Sequence, residues 1–358
     1  MKILLVADFS YGALGLSYYN SFLKLGYNVT QFDTFLEMEK INPFFKNRYL
    51  NRFLEKLYYN ELNSRLLKKI LLLNPELVFI VKGHCIFPDT IKDIKNKLNT
   101  FVINFNPDNP FNLNHSASNK FILRSIPNYD CYCIWGKFLI SKLLKYGARK
   151  CEYLPFAYDP GLHFLCEISI EEKKRYGSDI AFIGTWDKER ESFLEQLIDY
   201  DLAIWGNGWE RLKPNSKLIS KYRKRDVIGK DFSAVCNASK IIINHVRSHN
   251  ENAHNMKTFE IPACGGFMLT TRTKEQCEFF KEDKDIACFE TAKELKEKIN
   301  YYLTSNDLRK KIALNGYEKV RVHSYTERAK AIVSIFSNMK TYQLTIMLVI
   351  MSTFECFF

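Results

Sequence analysis

Ten short runs of β-branched, aromatic and small apolar residues recur along this chain, each followed by a longer stretch of helical period. That alternation constrains the fold more than any other feature of the sequence. The runs are Ile3–Ala7, Leu77–Gly83, Phe101–Asn106, Cys131–Trp135, Cys151–Phe156, Asp179–Gly184, Leu202–Gly206, Lys240–Asn244, Phe267–Thr271 and Ile286–Phe289. They hold few charges, as expected of strands covered by helices on both faces of a parallel sheet. Thr291-Ala-Lys-Glu294 and Ser324-Tyr-Thr-Glu327 have the spacing of a capping box and mark helix starts between and after them. Repeated β–α alternation implies doubly wound α/β architecture. At 358 residues the chain is long enough for two domains. The strand series restarts after an irregular stretch at 155–178 that holds Pro155, Pro160 and Gly161. The expectation is therefore a Rossmann-like domain over 1–160, a second over 161–340 facing it across a cleft, and an apolar tail at 341–358.

Charge narrows the partners. Lys and Arg number 52 against 40 Asp and Glu, a net charge of +12 that favours anionic ligands. Half of the excess lies at 210–230, where eight Lys/Arg accompany two acids. Only Trp209 and Tyr222 are interleaved there, and no nucleic-acid module fits, so the segment reads as a solvated or lipid-headgroup-facing surface and no nucleic acid is expected. The ten cysteines stand without any CxxC pair, which reads as buried thiols in a reducing cytosol. The apolar start is too short for a signal-peptide core. The apolar end, Leu344 to Phe358, carries Glu355 and falls short of the roughly 20 residues that span a bilayer. A cytoplasmic protein is expected, with peripheral contact to an anionic inner membrane as its only lipid association. His245, His249 and His254 lack metal-ligand spacing, and Asp283-Lys-Asp285 reads as a solvated turn, so no metal is expected.

Several residues could carry chemistry. The run ending at Gly184 continues into Thr185-Trp-Asp-Lys-Glu-Arg190 and then a helix. Glycine at such a turn admits close backbone approach, the helix N-terminus is positive, and Arg190 could fork onto a phosphate. Downstream, Asn255-Met-Lys257-Thr-Phe-Glu260 leads through one helix to Gly265-Gly266. Lys257 and Glu260 share a helix face; a carboxylate there can accept both ribose hydroxyls while the ammonium meets phosphate. Gly12 and Gly15 follow the first run, where backbone can approach an acceptor or phosphate. His84 and Asp108 follow later runs, at strand ends where parallel sheets place ligands, and either could deprotonate a hydroxyl. Each of these features also reads as an ordinary turn, cap or surface ion pair.

From about Leu77 to Arg328 the sequence carries Val81-Lys-Gly-His84 with Pro88, Asn106-Pro-Asp108-Asn-Pro110, Tyr153-Leu-Pro-Phe-Ala157, Asp179-Ile-Ala-Phe-Ile-Gly-Thr185, Trp205-Gly-Asn-Gly-Trp209, Asn255 through Gly266, Ile312-Ala-Leu-Asn-Gly316 and His323-Ser-Tyr-Thr-Glu-Arg328. In these stretches, their order and their spacing it resembles the bacterial CgeB-like, spore-coat type glycosyltransferases, a branch of the GT-B enzymes. The resemblance implies a nucleotide-sugar donor on the C-terminal domain, held by Gly184, Thr185, Arg190, Gly206, Asn255, Lys257, Glu260, Gly265 and Gly266, with Glu260 as the ribose carboxylate. Gly12 and Gly15 would line the acceptor side, with Asp108 and His84 as catalytic candidates. Two positions depart from the pattern. Lys257 stands where the resemblance wants Arg, and Asn252 stands where an E-x7-E signature wants its first acid. The expected activity is metal-independent transfer of a sugar to a glycan, lipid-linked or protein acceptor, with no cofactor beyond the donor itself. A nucleotide-sugar epimerase and a non-catalytic binding relative are the alternatives.

Overall fold

The protein is described here by a computed structural model covering residues 1–42, 48–98, 100–113, 118–250 and 252–355, with backbone alone at 48–55 and 347–355. The chain divides into two compact units, Met1–Pro155 together with Tyr325–Phe358, and Phe156–Ser324. Each is built on one wholly parallel sheet among the described residues.

The first sheet contains β1 (Lys2–Ala7), β2 (Asn28–Asp33), β3 (Leu77–Val81), β4 (Phe101–Asn106), β5 (Cys131–Ile134) and β6 (Cys151–Tyr153), in the order β2-β1-β3-β4-β5-β6. Its central strands are buried on both faces, which is why they read as uninterrupted apolar runs. The strand missing from the sequence reading is β2. Its residues, Asn-Val-Thr-Gln-Phe-Asp, bury only Val29 and Phe32, and it pairs on one side alone. Val29 and Phe32 stand three apart and so on opposite faces, and an edge strand with one buried residue on each face lacks the apolar signature of the others.

The second sheet contains β7 (Ile180–Ile183), β8 (Leu202–Trp205), β9 (Ile241–Asn244), β10 (Met268–Thr271) and β11 (Ala287–Phe289), ordered β11-β10-β9-β7-β8. Its core gathers Phe182, Ile204, Trp209, Ile241, Leu269, Phe289 and Tyr302. Both sheets reverse their winding between the first and third strands, at β1/β3 and at β7/β9. Ligands of doubly wound sheets bind beyond the strand carboxyl ends at such switch points.

The C-terminal helix Tyr325–Glu355 belongs to the first unit, where the sequence reading kept the chain as far as 340 in the second. The reason is aromatic packing. Tyr325 meets the buried Tyr18 with ring centroids 5.2 Å apart, and Tyr18 in turn meets Phe79 and Phe105 at 5.0 and 5.8 Å. Phe336 meets Phe101 at 5.5 Å, and Arg328 donates to the Pro155 carbonyl at 2.9 Å. The same helix continues through 341–355, so the expected tail is helical as far as it is described.

Close packing in the second unit depends on Gly206, which follows β8 at φ +135°. A Cβ there would lie 2.2 Å from the Gly184 carbonyl oxygen. Gly206→Ala should cost about 3 kcal/mol from overpacking and backbone strain together, lowering the melting temperature by roughly 6–12 °C. An unchanged calorimetric transition would contradict this packing.

Candidate functional site

In the second unit, the loops leaving β7 and β9 meet at the switch point. The β7 loop is pinned by its neighbours: Gly184 N–H donates to the Trp205 carbonyl at 2.8 Å, Trp209 Nε1 donates to the Gly184 carbonyl at 2.8 Å, and Trp186 N–H donates to the Asn207 carbonyl at 2.8 Å. The Trp205-Gly-Asn-Gly-Trp209 stretch thus holds the neighbouring loop in place, and Gly206 acts through packing. Asp187 caps the next helix, its Oδ1 accepting from Arg190 N–H at 2.9 Å. Its Oδ2 faces two guanidiniums, Arg247 Nε at 3.4 Å and Arg190 Nε at 3.6 Å. Arg190 lies over the Phe182 ring and donates from Nη1 to the exposed Thr185's carbonyl at 2.7 Å. Desolvation, added to by the Arg247 cation and opposed by Asp187 and Glu189, lowers the Arg190 pKa to about 10, so it remains cationic at neutral pH. Glu189 accepts from Ser248 N–H and Oγ at 2.8 and 3.0 Å, drawing the β9 loop against this cluster. Paired guanidinium forks beside a helix start are suited to phosphate oxygens.

A second group lies in the first turn of the helix Lys257–Ala263. Glu260 is buried, with Oε2 accepting from Lys257 Nζ at 2.6 Å and Oε1 3.8 Å from His163 Nε2. Lys257 also sits 4.7 Å over the Phe232 ring. Asp159 N–H donates to His163 Nδ1 at 3.1 Å, so the neutral ring carries its proton on Nε2, toward Glu260. Burial lowers the His163 pKa, against the pull of Glu260. Burial alone would push the Glu260 carboxyl up, but Lys257 and His163 outweigh it and hold it below its ordinary value.

Asn255, expected at the donor, is occupied in seating this helix. Its Oδ1 accepts from Thr258 N–H at 3.2 Å and its Nδ2 donates to Asn244 Oδ1 at 2.8 Å. Gln276 Oε1 accepts from the hydroxyls of Thr258 and Thr270 at 3.1 and 3.0 Å, tying the same turn to β10. Gly265 and Gly266 close the far end of the helix: Gly266 N–H donates to the Ile261 carbonyl and Gly265 N–H to that of Pro262. They lead into β10 at the amino end of the sheet, so the structure separates them from the Glu260 turn, contrary to the sequence reading. A cavity of about 600 Å³ opens at that amino end, lined by Gly265, Lys173, Lys240, Arg309 and Tyr317. Helix carboxyl termini converge there, and Arg309 is spent on the Tyr302 and Leu303 carbonyls. Ligands of doubly wound parallel sheets bind beyond the strand carboxyl ends, and we place the candidate site at that opposite end.

His245, His249 and His254 do not assemble. His245 stacks on Phe193, whereas His254 is buried with Nδ1 2.6 Å from Glu275 and Nε2 accepting from Phe156 N–H. Asp283 accepts from the Tyr302 hydroxyl at 3.0 Å and Asp285 from Lys281 N–H at 2.9 Å, as turn-forming residues do. Ligand atoms of Cys277, Glu282 and Cys288 lie within 4.8 Å of one another, but Glu282 is gripped by Arg272 at 2.7 Å and Lys298 at 2.9 Å, cations that would repel a metal.

In the first unit, Gly15 lets a helix start against β1, since a Cβ there would lie 2.2 Å from the Asp8 carbonyl oxygen. Gly12 lies in the loop before that helix. Asp108, after β4, pairs with Lys82, after β3, at 3.1 Å. His84 follows Lys82. Desolvation and Lys82 lower its pKa, against Asp8 and Asp108, so the imidazole is neutral at pH 7. Sequence reasoning missed His163, Arg247 and Lys82 as site residues. His163 falls in an irregular stretch without a pattern, whereas Arg247 stands three residues after a strand run, a legible position for a ligand-facing cation.

Residues 188–334 match the family model described as glycosyl transferase-like. The match covers Arg190, Arg247, Lys257 and Glu260 and ends within the last helix. The two-sheet architecture is that of GT-B glycosyltransferases. Anabaena Alr3699/HepE, solved with UDP and glucose, superposes with a TM-score of 0.64 at 9% identity, over 94% of this chain and 100% of that one. A glycosyltransferase from Rickettsia africae gives 0.61 at 15% identity, over 94% and 98%. A putative UDP-N-acetylglucosamine 2-epimerase from Listeria monocytogenes gives 0.56 at 12% identity, over 95% and 97%. No curated protein matches the chain in sequence.

The Glu260 ion pair makes a pH-dependent contribution to stability. Its folded pKa lies below the ordinary 4.5, so the contribution is complete above that value and is lost as pH falls through the folded pKa. Glu260→Gln should therefore lower the urea midpoint at neutral pH and lose its effect in acid, below the folded pKa. An equal effect at both would argue against a charged Glu260.

Proposed function

We propose that the chain is a glycosyltransferase that takes a nucleotide-sugar donor on its second unit. The observation that carries this reading is the convergence of Arg190 and Arg247 at the β7/β9 switch point, inside the segment that matches the glycosyl transferase-like family. HepE, which shares the fold, is described with UDP and with UDP-glucose, and supports a uridine nucleotide as the first donor to try. Arg190, Arg247 and Lys257 would neutralise the diphosphate as it departs, with the Gly184–Thr185 backbone alongside. Glu260 Oε1, 3.8 Å from His163 Nε2, is too far for a hydrogen bond to it and is left to accept from ribose hydroxyls. In the first unit, Asp108 and His84 are the candidates to take the acceptor proton. No step in this scheme calls for a metal. The CgeB-like subtype is part of the proposal, as are a glycan, lipid-linked or protein acceptor and a cytoplasmic site of action. The Listeria neighbour supports a second reading, epimerisation of a nucleotide-sugar. Release of an epimerised sugar in the absence of acceptor separates the two.

Glu260→Ala should weaken UDP binding about ten- to hundredfold by titration calorimetry, the worth of a charge-assisted hydrogen bond. Binding and donor turnover should survive EDTA. Unchanged affinity in the variant would remove Glu260 from the donor site, and a chelator-sensitive turnover rescued by Mn²⁺ would overturn metal independence.

We further propose weak contact with an anionic membrane. No helix among the described residues is long and apolar enough to cross one. The last helix nevertheless exposes Tyr342, Leu344 and Ile346. Within 210–230, Lys213, Lys217, Arg223 and Lys224 are exposed, whereas Arg225 is tied to Asp231 and Lys221 donates to the Tyr200 carbonyl. Each exposed cation contributes about 1 kcal/mol at most near an anionic surface. Flotation with anionic liposomes should therefore occur at low salt, fail at high salt and weaken when those four exposed residues are replaced. Equal flotation with neutral liposomes would exclude the electrostatic contact.

A further inference from the structure

Lys82 holds a backbone conformation that glycine adopts freely and lysine does not. Its φ is +65°, directly after β3 at the switch point of the first sheet, and Gly83 follows at +78°. The surrounding structure imposes this shape. Lys82 N–H donates to the Phe105 carbonyl at 2.8 Å, and the fully buried Asn104 donates from Nδ2 to the carbonyls of Ile80 at 3.1 Å and Lys82 at 3.3 Å. Strain of this kind persists only where neighbours over-determine it, and it concentrates at functional sites. Here the result is an aimed ammonium: Lys82 Nζ stands 3.1 Å from Asp108 Oδ2. Both side chains are about one-third exposed, at 30% and 34%, so a ligand can reach them. Asp108 is itself fixed, its N–H donating to Asn106 Oδ1 at 3.0 Å while Asn106 Nδ2 donates to the buried Tyr132 hydroxyl at 2.8 Å.

We propose that Lys82 is a positioning residue for the transfer reaction, its strained backbone serving to hold the Asp108 carboxylate in place for an acceptor hydroxyl. This rests on the glycosyltransferase reading. In the step it serves, the acceptor O–H gives its proton to Asp108 and its oxygen forms a bond to the anomeric carbon of the donor. The bond from that carbon to the phosphate oxygen breaks, and its electron pair leaves on the nucleotide diphosphate. Lys82 also faces His84, together with Asp8 and Asp108; the lysine disfavours the imidazolium and the two carboxylates favour it.

Three substitutions separate the side chain's role from the backbone's. Lys82→Gly relieves the left-handed strain and removes the charge, Lys82→Met keeps the strain without the charge, and Lys82→Arg keeps both. UDP release from UDP-glucose, with water or added sugars as acceptor, is measured beside the melting temperature and the NMR titration of His84. We expect Lys82→Gly to melt at or above the parent yet lose about tenfold or more in kcat, with donor KM unchanged. Lys82→Met should lose a similar factor, Lys82→Arg should recover most of it, and the His84 pKa should rise in the glycine and methionine variants. Full activity in Lys82→Gly, a loss that merely follows falling melting temperature, or an unmoved His84 titration would overturn the proposal. A parent chain that releases no UDP while its variants fold normally would instead overturn the transferase reading on which it stands.

Discussion

Parallel strand pairing is the constraint on which the rest of this structure depends. In a parallel sheet every strand must return by a crossover, so all loops that leave strand carboxyl ends gather on one side. The side chains that matter here occupy such loops or the helix turns they enter. Asp8, Lys82 and Asp108 follow β1, β3 and β4; Asp187, Arg190 and Arg247 follow β7 and β9; Lys257 and Glu260 open the helix after β9. The winding reverses at β1/β3 and β7/β9, and at those two places neighbouring loops part to leave room for a ligand.

Charge burial explains how these residues are held. An ionised carboxylate cannot enter a protein interior unless partners compensate its desolvation. Glu260 is accommodated because Lys257 and His163 face it from two sides. Asp187 serves Arg190 and Arg247 in the same way while also capping a helix. These pairs keep cations and acceptors oriented without ligand, so a bound diphosphate or ribose would meet groups that have already lost most of their freedom.

The resemblance to CgeB-like enzymes brought together residues that the structure sorts into two kinds. Gly206, Asn255 and Gly265-Gly266 shape and seat the elements around them: close approach to Gly184, a cap on the Lys257 helix, and a helix end against β10. Arg190, Lys257 and Glu260 present charge at the carboxyl end of the sheet. A short motif mixes both kinds because a turn and the side chain it positions are neighbours in sequence, and only coordinates separate them.

The sequence by itself determined the α/β class, ten of the eleven described strands and the placement of most candidate residues after strand ends, because parallel strands covered on both faces are mostly apolar. It did not reveal β2, an edge strand in which only Val29 and Phe32 are buried and the other four residues are polar. Tertiary structure decided what depends on contacts between distant segments. The last helix joins the first unit because Tyr325 and Phe336 find Tyr18 and Phe101. His163 meets Glu260 from nearly a hundred residues away. The left-handed turn at Lys82 is held by Asn104 and Phe105 of the adjacent strand. None of these pairings leaves a local pattern, since each is set by which side chains the sheet order brings within reach.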